Sequence, residues 1–348
     1  MLMGVATTRG AQKVRVSRNL AYRVLPVVEL AALVALVAAP FVLAERAALV
    51  TLMTNIVILS LFAISFDLCW GFSGIMSFGQ ALFFGAAGYV VALVGRDLDF
   101  SQLLGTLPLA MVFGGLLSAA LAAFLLLGRK TPTSIFVALG TLTGSYAAER
   151  LVSGWQYVGA GNGLSSIKLM AFGGFEFVEG AAFYSVALAA LVLVYVASRV
   201  LVRSQFGLVL AGIRQNEERL AFFGYRVQVY KAIVFIFAGM IAGLSGALYS
   251  YHQGFTGPSN LGPGLSTTAV IYCLFGGSGT LIGPVLGTVA IELLSYVLAD
   301  TDTIRQFWPV ILGGVLLVVV MFQPTGLLGL IVSARERVGS FGVRRVPR

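Results

Sequence analysis

Ten runs of apolar residues, most of them long enough to cross a bilayer as a helix, follow one another along this chain and constrain its fold more than any other feature. They cover residues 25–44, 48–66, 78–94, 107–127, 133–149, 181–201, 232–251, 264–277, 283–298 and 307–322. A helix rises about 1.5 Å per residue, so roughly 20 apolar residues cross a hydrocarbon core of about 30 Å. Inside lipid the backbone must satisfy its own hydrogen bonds, and a helix does so within one segment. The chain is 58% hydrophobic and 11% charged, against about 25% charged in a soluble domain. The expected fold is an all-α polytopic membrane protein with about ten transmembrane segments.

The basic residues orient it. Of the 23 Lys and Arg, 18 fall on one side of the predicted spans and 5 on the other. The rich side holds Arg9, Lys13, Arg15, Arg18 and Arg23, then Arg129 and Lys130, a charged island near 199–231, and Arg335 to Arg348. Lys/Arg excess marks cytoplasmic segments, so both termini and the island are expected inside. Residues 1–24 read as a basic cytoplasmic tail, 25–330 as the transmembrane domain and 331–348 as a second basic tail. A signal peptide would carry its apolar region close behind the basic start; here the apolar run begins only near Leu25 and many spans follow.

Several chemistries are excluded. Cys69 and Cys273 stand in apolar surroundings without metal-type spacing, and a lone His252 cannot build a metal site. No G-x-x-x-x-G-K-[ST] occurs; GRKT (128–131) lacks the upstream glycine. No serine triad, paired carboxylates or metal cluster is visible. The chain is not expected to be an enzyme, to bind a cofactor or metal, or to contact nucleic acid; its surroundings are membrane lipid.

Two glycine-rich segments interrupt the apolar pattern. The stretch between Lys231 and Glu292 has no Asp, Glu, Lys or Arg, and the run 264–277 would span only about 21 Å as a helix. GGSGTLIGP (276–284) therefore reads as a break inside the membrane, either joining two short crossings or forming a re-entrant pair. GFSGIMSFGQ (71–80) is a second break. Non-helical backbone at such depth survives only where protein or a water-filled cavity satisfies it, and broken helices point to a polar pathway. The competing reading is close helix packing at glycine. Candidate pathway residues are Asp67, Gly74, Ser77, Gly79, Gln80, Gly276, Gly277, Gly279, Gly283, Pro284 and Glu292. Intramembrane carboxylates are costly and suggest function; Asp67 and Glu292 either hold the broken backbone or line the path. Glu149 and Arg150 read as a charge pair at a span end. VGAGNGLSSI (158–167), on the outer side, demands a tight turn around Asn162, either rigid or facing a partner.

The charged island contains Arg199, Arg203, Arg214, Glu217, Glu218, Arg219, Arg226 and Lys231. If helical, Leu220 and Phe223 share a face with Gln215 and Glu218 on its edge, and Gly224 closes it. Such a helix suits a partner's groove. The alternative is a helix lying on lipid headgroups, which favours basic faces, and Glu217 and Glu218 argue against that.

IRQNEERLAFFGYRVQVYK (213–231) resembles the cytoplasmic coupling loop of ABC-importer permeases, closest to the branched-chain amino-acid (LivH/LivM-type) family, with its R-x-N-E…A…G pattern. Arg214, Asn216, Glu217, Ala221 and Gly224 fit that pattern. AGLSGALYS (242–250), GGSGTLIGPVLG (276–287), WGFSGIMSFGQALFFGAAGY (70–89) and FQPTGLLG (322–329, with Gln323 where Arg is common) resemble further blocks of the family, in order. The resemblance implies a LivM-like permease subunit of the bacterial cytoplasmic (inner) membrane, coupled through loop 202–231. Arg214, Asn216, Glu217, Glu218, Ala221 and Gly224 would meet the ATPase. Implied partners are a LivH-like second permease, two ATPase subunits carrying ATP and Mg, and an extracytoplasmic solute-binding protein. Branched-chain or other small neutral amino acids are the expected cargo. WGFSGIMSFGQ is also similar to the urea and short-chain amide branch. A stand-alone secondary transporter is the rival class.

Overall fold

The structure is a computed structural model that describes residues 27–40, 46–128, 133–178, 180–298, 310, 313–314, 317 and 326–328. Both predicted tails, and nearly all of the predicted run 307–322, lie outside the described residues.

Nine predicted runs coincide with helices: α1 Val27–Pro40, α2 Ala47–Asp67, α3 Gln80–Asp97, α4 Leu103–Leu125, α5 Ser134–Gly154, α6 Ala181–Arg203, α9 Val227–Gln253, α10 Pro263–Gly276 and α11 Ile282–Leu298. The charged island supplies α7 Gln205–Gln215 and α8 Glu217–Phe222. Among the described residues, four helices are long and apolar enough to cross a membrane: Ala47–Phe72, Leu103–Leu125, Ala181–Arg203 and Val227–Gln253; α1, α10 and α11 are shorter apolar helices. The fold is all-α and polytopic.

The core forms around α2 and α9. From Ile56 to Asp67 every residue of α2 is buried, as expected of a helix apolar on all sides. Its buried hydroxyls are satisfied locally: those of Thr54 and Ser60 donate to the carbonyls of Val50 and Ile56 at 2.8 and 2.7 Å. Ser245 of α9 crosses to α2, donating to the Ile58 carbonyl at 2.7 Å. α9 also packs along α3 and α4. At the α4–α9 crossing a Cβ on Gly114 would lie 3.1 Å from the Gly243 Cα, so backbone meets backbone there. For Gly243, close packing is the correct reading.

Opposite ends of α9 carry different structures. Past its C-terminus β4 (Phe255–Thr256) pairs antiparallel with β1 (Leu164–Ser165), while β2 (Ala171–Phe172) pairs with β3 (Phe175–Glu176). The tight turn expected at 158–167 is present: Gly159 and Gly163 have φ of 84° and 68°, whereas Gly161 is not in the positive-φ region. Nearby, hydrogen bonds from Arg96 and Tyr157 hold the Asp97 carboxyl below its ordinary pKa. The expected Glu149–Arg150 pair does not form. Arg150 instead donates to the Tyr146 hydroxyl at 3.0 Å.

Next to the N-terminus of α9 stand α7 and α8. One amphipathic helix through Gln215 and Phe223 was the expectation; two helices are found. Asn216, extended at φ −161°, separates them, and its side chain accepts from the Arg219 N–H at 2.9 Å. Asn is among the best N-caps, and Glu217 and Glu218 in the first turn suit the helix dipole. Gln215 therefore belongs to a different helix from Leu220.

Candidate functional site

Both breaks are present as irregular backbone, and they meet. α2 ends at Asp67 in a π turn, Leu68–Phe72, and the chain is then non-helical until Gln80. π turns cluster at functional sites. α10 ends at Gly276, and Gly277 and Gly279, at φ 114° and 80°, carry the chain to α11. Asp67, fully buried, accepts the Gly279 N–H on Oδ1 at 2.8 Å. One break thus caps the other across 212 residues of sequence.

A third segment joins them. Arg214, in the last turn of α7, donates through Nη1 to the Gly71 carbonyl. Its aliphatic stem passes Gly74, where a Cβ would lie 3.6 Å from Arg214 Cγ. A Cβ on Gly279 would lie 2.6 Å from Arg214 Nη1, and one on Gly71 2.7 Å from Asp67 Cγ. Only glycine fits at 71 and 279 without displacing the charged side chains. Gly326, from the closing FQPTGLLG block, also abuts the second break: a Cβ there would stand 2.7 Å from Gly277 Cα. Two acceptors at the junction, Asp67 Oδ2 and Gln80 Oε1, are buried without a partner among the described residues. Gln80 donates through Nε2 to Cys69 Sγ at 3.3 Å.

The other candidate pathway residues divide into two groups and one residue apart. Ser77 and Gly79 are pinned to neighbouring backbone: the Gly79 N–H donates to Ser77 Oγ at 3.2 Å, and the Phe78 N–H donates to Thr141 Oγ1 at 3.0 Å. Gly276 and Gly283 form the close approach between α10 and α11, beside Pro284 in the first turn of α11. Glu292 stands apart from the junction, with Tyr272 and Asn55.

Of the candidate coupling residues, Arg214 points inward and the rest surround α8. Glu217 is tied to Lys231 at the start of α9, Oε2 to Nζ 2.5 Å. Lys231 is only 7% exposed, so this pair fastens α8 to α9. Asn216 is the N-cap, and Gly224, at φ 85°, follows the helix end in the left-handed conformation that glycine tolerates. Glu218, Ala221 and Arg219 are exposed. Phe222 and Phe223 are 90% and 73% exposed and form an aromatic tip. Lys231 was read from sequence only as a member of the charged island, and Phe222, Asn55 and Tyr272 were not singled out. The doublet of aromatics in a charged loop was the available signal for Phe222; the others had none.

Residues 48–321 match the family described as branched-chain amino acid transport system / permease component. Among curated relatives, the autoinducer 2 import system permease protein LsrC of Enterobacter sp. (strain 638) is 27% identical over 226 residues, covering 62% of this chain and 63% of the relative. The chain thus spans less than two thirds of that relative's length. LsrC of Salmonella paratyphi B and LsrC of Salmonella typhimurium are each 27% identical over 276 residues, covering 72% of this chain and 77% and 76% of theirs. No solved structure matches. These relatives are named for autoinducer 2 and not as LivM, so the subunit type is narrower than what is established. The chain belongs to the branched-chain amino acid transport system permease family and is a multi-pass ABC-type permease of the cytoplasmic membrane.

Proposed function

We propose that this chain is the translocation subunit of an ATP-driven importer for branched-chain or other small neutral amino acids. It would act with a LivH-like second permease, two ATPase subunits that bind ATP and Mg, and an extracytoplasmic solute-binding protein. The observation that carries this reading is the Arg214–Gly71 contact beside the Asp67–Gly279 cap. Through it, a helix of the charged loop is bonded directly to the first break, and the Asp67 cap ties that break to the second.

In this reading the loop faces the cytoplasm, as the basic residues argue. The aromatic tip at Phe222 and Phe223 enters a groove of an ATPase subunit, and the Glu217–Lys231 pair makes α8 move with the start of α9. Closure of the ATPases would shift α7, and Arg214 would carry that shift to the π turn and to Gly279. The permease then repopulates between outward- and inward-facing states, driven by differential binding. A neutral or zwitterionic cargo agrees with the scarcity of charge inside the spans. A second reading, a solute of the autoinducer 2 kind, is supported by the names of the curated relatives.

The test is uptake into vesicles containing this chain and its partner subunits, with leucine, urea and autoinducer 2 offered in parallel. Leucine uptake that requires ATP and the ATPase subunits is the expected result. Uptake of another solute under the same requirement would reassign the cargo. Uptake without the ATPase subunits would establish a stand-alone transporter and overturn the proposal.

A further inference from the structure

A second polar cluster lies where α2, α10 and α11 meet away from the junction. The Tyr272 hydroxyl donates to Glu292 Oε1, and Asn55 Nδ2 donates to Oε2 at 3.3 Å. Asn55 is eight residues into α2, Tyr272 nine into α10 and Glu292 ten into α11. At about 1.5 Å per residue Asn55 and Tyr272 lie ~12–14 Å from their helix starts, near the middle of a core of about 30 Å, and Glu292 meets them at that depth. Tyr272 is 1% exposed, whereas Asn55 and Glu292 are half-buried and reach the edge of the packed core.

What the cluster leaves open is all of one kind. Asn55 Oδ1 is shielded and has no partner among the described residues. A carboxylate offers about four acceptor sites and no donor, and two are taken. Among the described residues no Lys or Arg forms an ion pair with Glu292. A carboxylate without a cation is costly at this depth and faces the interior of a bundle or a wet cavity. A charge-assisted hydrogen bond from a cationic donor is its strongest complement.

We propose that Glu292 and Asn55 form a transient contact for the ammonium group of a zwitterionic solute crossing the membrane, with Tyr272 as the residue that positions the carboxylate. This rests on the importer reading and narrows its cargo to solutes bearing an ammonium group. It also separates two roles: the junction at Arg214 transmits motion, and the Glu292 cluster meets the cargo.

The experiment uses the complete importer in vesicles. ATP-driven leucine uptake and ATPase activity are measured for the wild type, Glu292→Gln, Glu292→Asp and Tyr272→Phe. Expected are a tenfold or larger loss of uptake in Glu292→Gln with ATPase activity retained, partial recovery in Glu292→Asp, and a few-fold rise in KM with little change in kcat for Tyr272→Phe. Leucine uptake at the wild-type rate in Glu292→Gln overturns the contact and leaves the importer standing. A wild type that imports urea or a sugar and not leucine does the same. Failure of ATP-dependent uptake for every solute overturns the importer reading itself. Asn55→Cys supplies a readout independent of transport, because the native Cys69 and Cys273 are fully buried. A membrane-impermeant quaternary-ammonium thiol reagent should label Cys at this position, more slowly with saturating leucine. No labelling with or without ATP shows the cluster off the pathway and overturns the proposal.

Discussion

Glu217 is held inside the chain by Lys231, and this changes what its substitution tests. Glu217→Lys would set two ammonium groups together at a site where Lys231 is 7% exposed. Removing one partner of a fully buried pair costs about 3–5 kcal/mol; Glu217 is 29% exposed, so about 2 kcal/mol is the expected scale here. Glu217→Lys should detach α8 from α9 and abolish uptake. The double swap Glu217→Lys with Lys231→Glu should restore more than half of it. If the swap stays inactive while the protein is made normally, Glu217 acts on the ATPase directly and not through Lys231. At the aromatic tip, Phe222→Ala with Phe223→Ala removes side chains that are largely exposed. Thermal stability should change by less than about 0.5 kcal/mol, while co-purification with the ATPase falls at least tenfold. Unchanged co-purification would move the docking surface elsewhere.

At the scale of elements, the two breaks are one structure. The π turn after α2 and the Gly277–Gly279 turn after α10 are locked by the Asp67 cap, and glycine is what lets them approach. Gly71→Ala places a methyl group 2.7 Å from Asp67 Cγ; the buried carboxylate must move and lose the Gly279 N–H. Uptake should fall at least tenfold, with helix content by circular dichroism unchanged. Transport at the wild-type rate would mean that the breaks need not touch.

The apolar runs and the position of each break were legible in the sequence, because span length and clustered glycine are local properties. Convergence was not. Asp67 and Gly279 are 212 residues apart, and Arg214 and Gly71 are 143 apart. No period or spacing announces such a contact. The same holds for Glu292 with Asn55, 237 residues apart; Glu217 and Lys231 share the charged island, but nothing in its spacing pairs them. The break between α7 and α8 was within reach, since Asn216 followed by two glutamates is an N-cap pattern. The apolar flanks invited one continuous helix instead.

For the whole molecule, the central claim is that a loop outside the spans is mechanically joined to irregular backbone within them through one guanidinium. Arg214 is exposed over much of its surface, and its end nevertheless reaches the Gly71 carbonyl. Its removal should therefore leave the bundle folded and the ATPases bound while disconnecting their motion from the breaks. Lysine carries the charge but not the planar fork that reaches a carbonyl beside a backbone turn, so Arg214→Lys should recover only part of the activity. The decisive measurement is the ratio of solute imported to ATP hydrolysed in vesicles with the assembled importer, for the wild type, Arg214→Lys and Arg214→Ala. A ratio that falls at least tenfold in Arg214→Ala, with ATP hydrolysis and ATPase co-purification retained and an intermediate value in Arg214→Lys, is the result expected. An unchanged ratio in Arg214→Ala would contradict the claim and leave the junction a structural clamp.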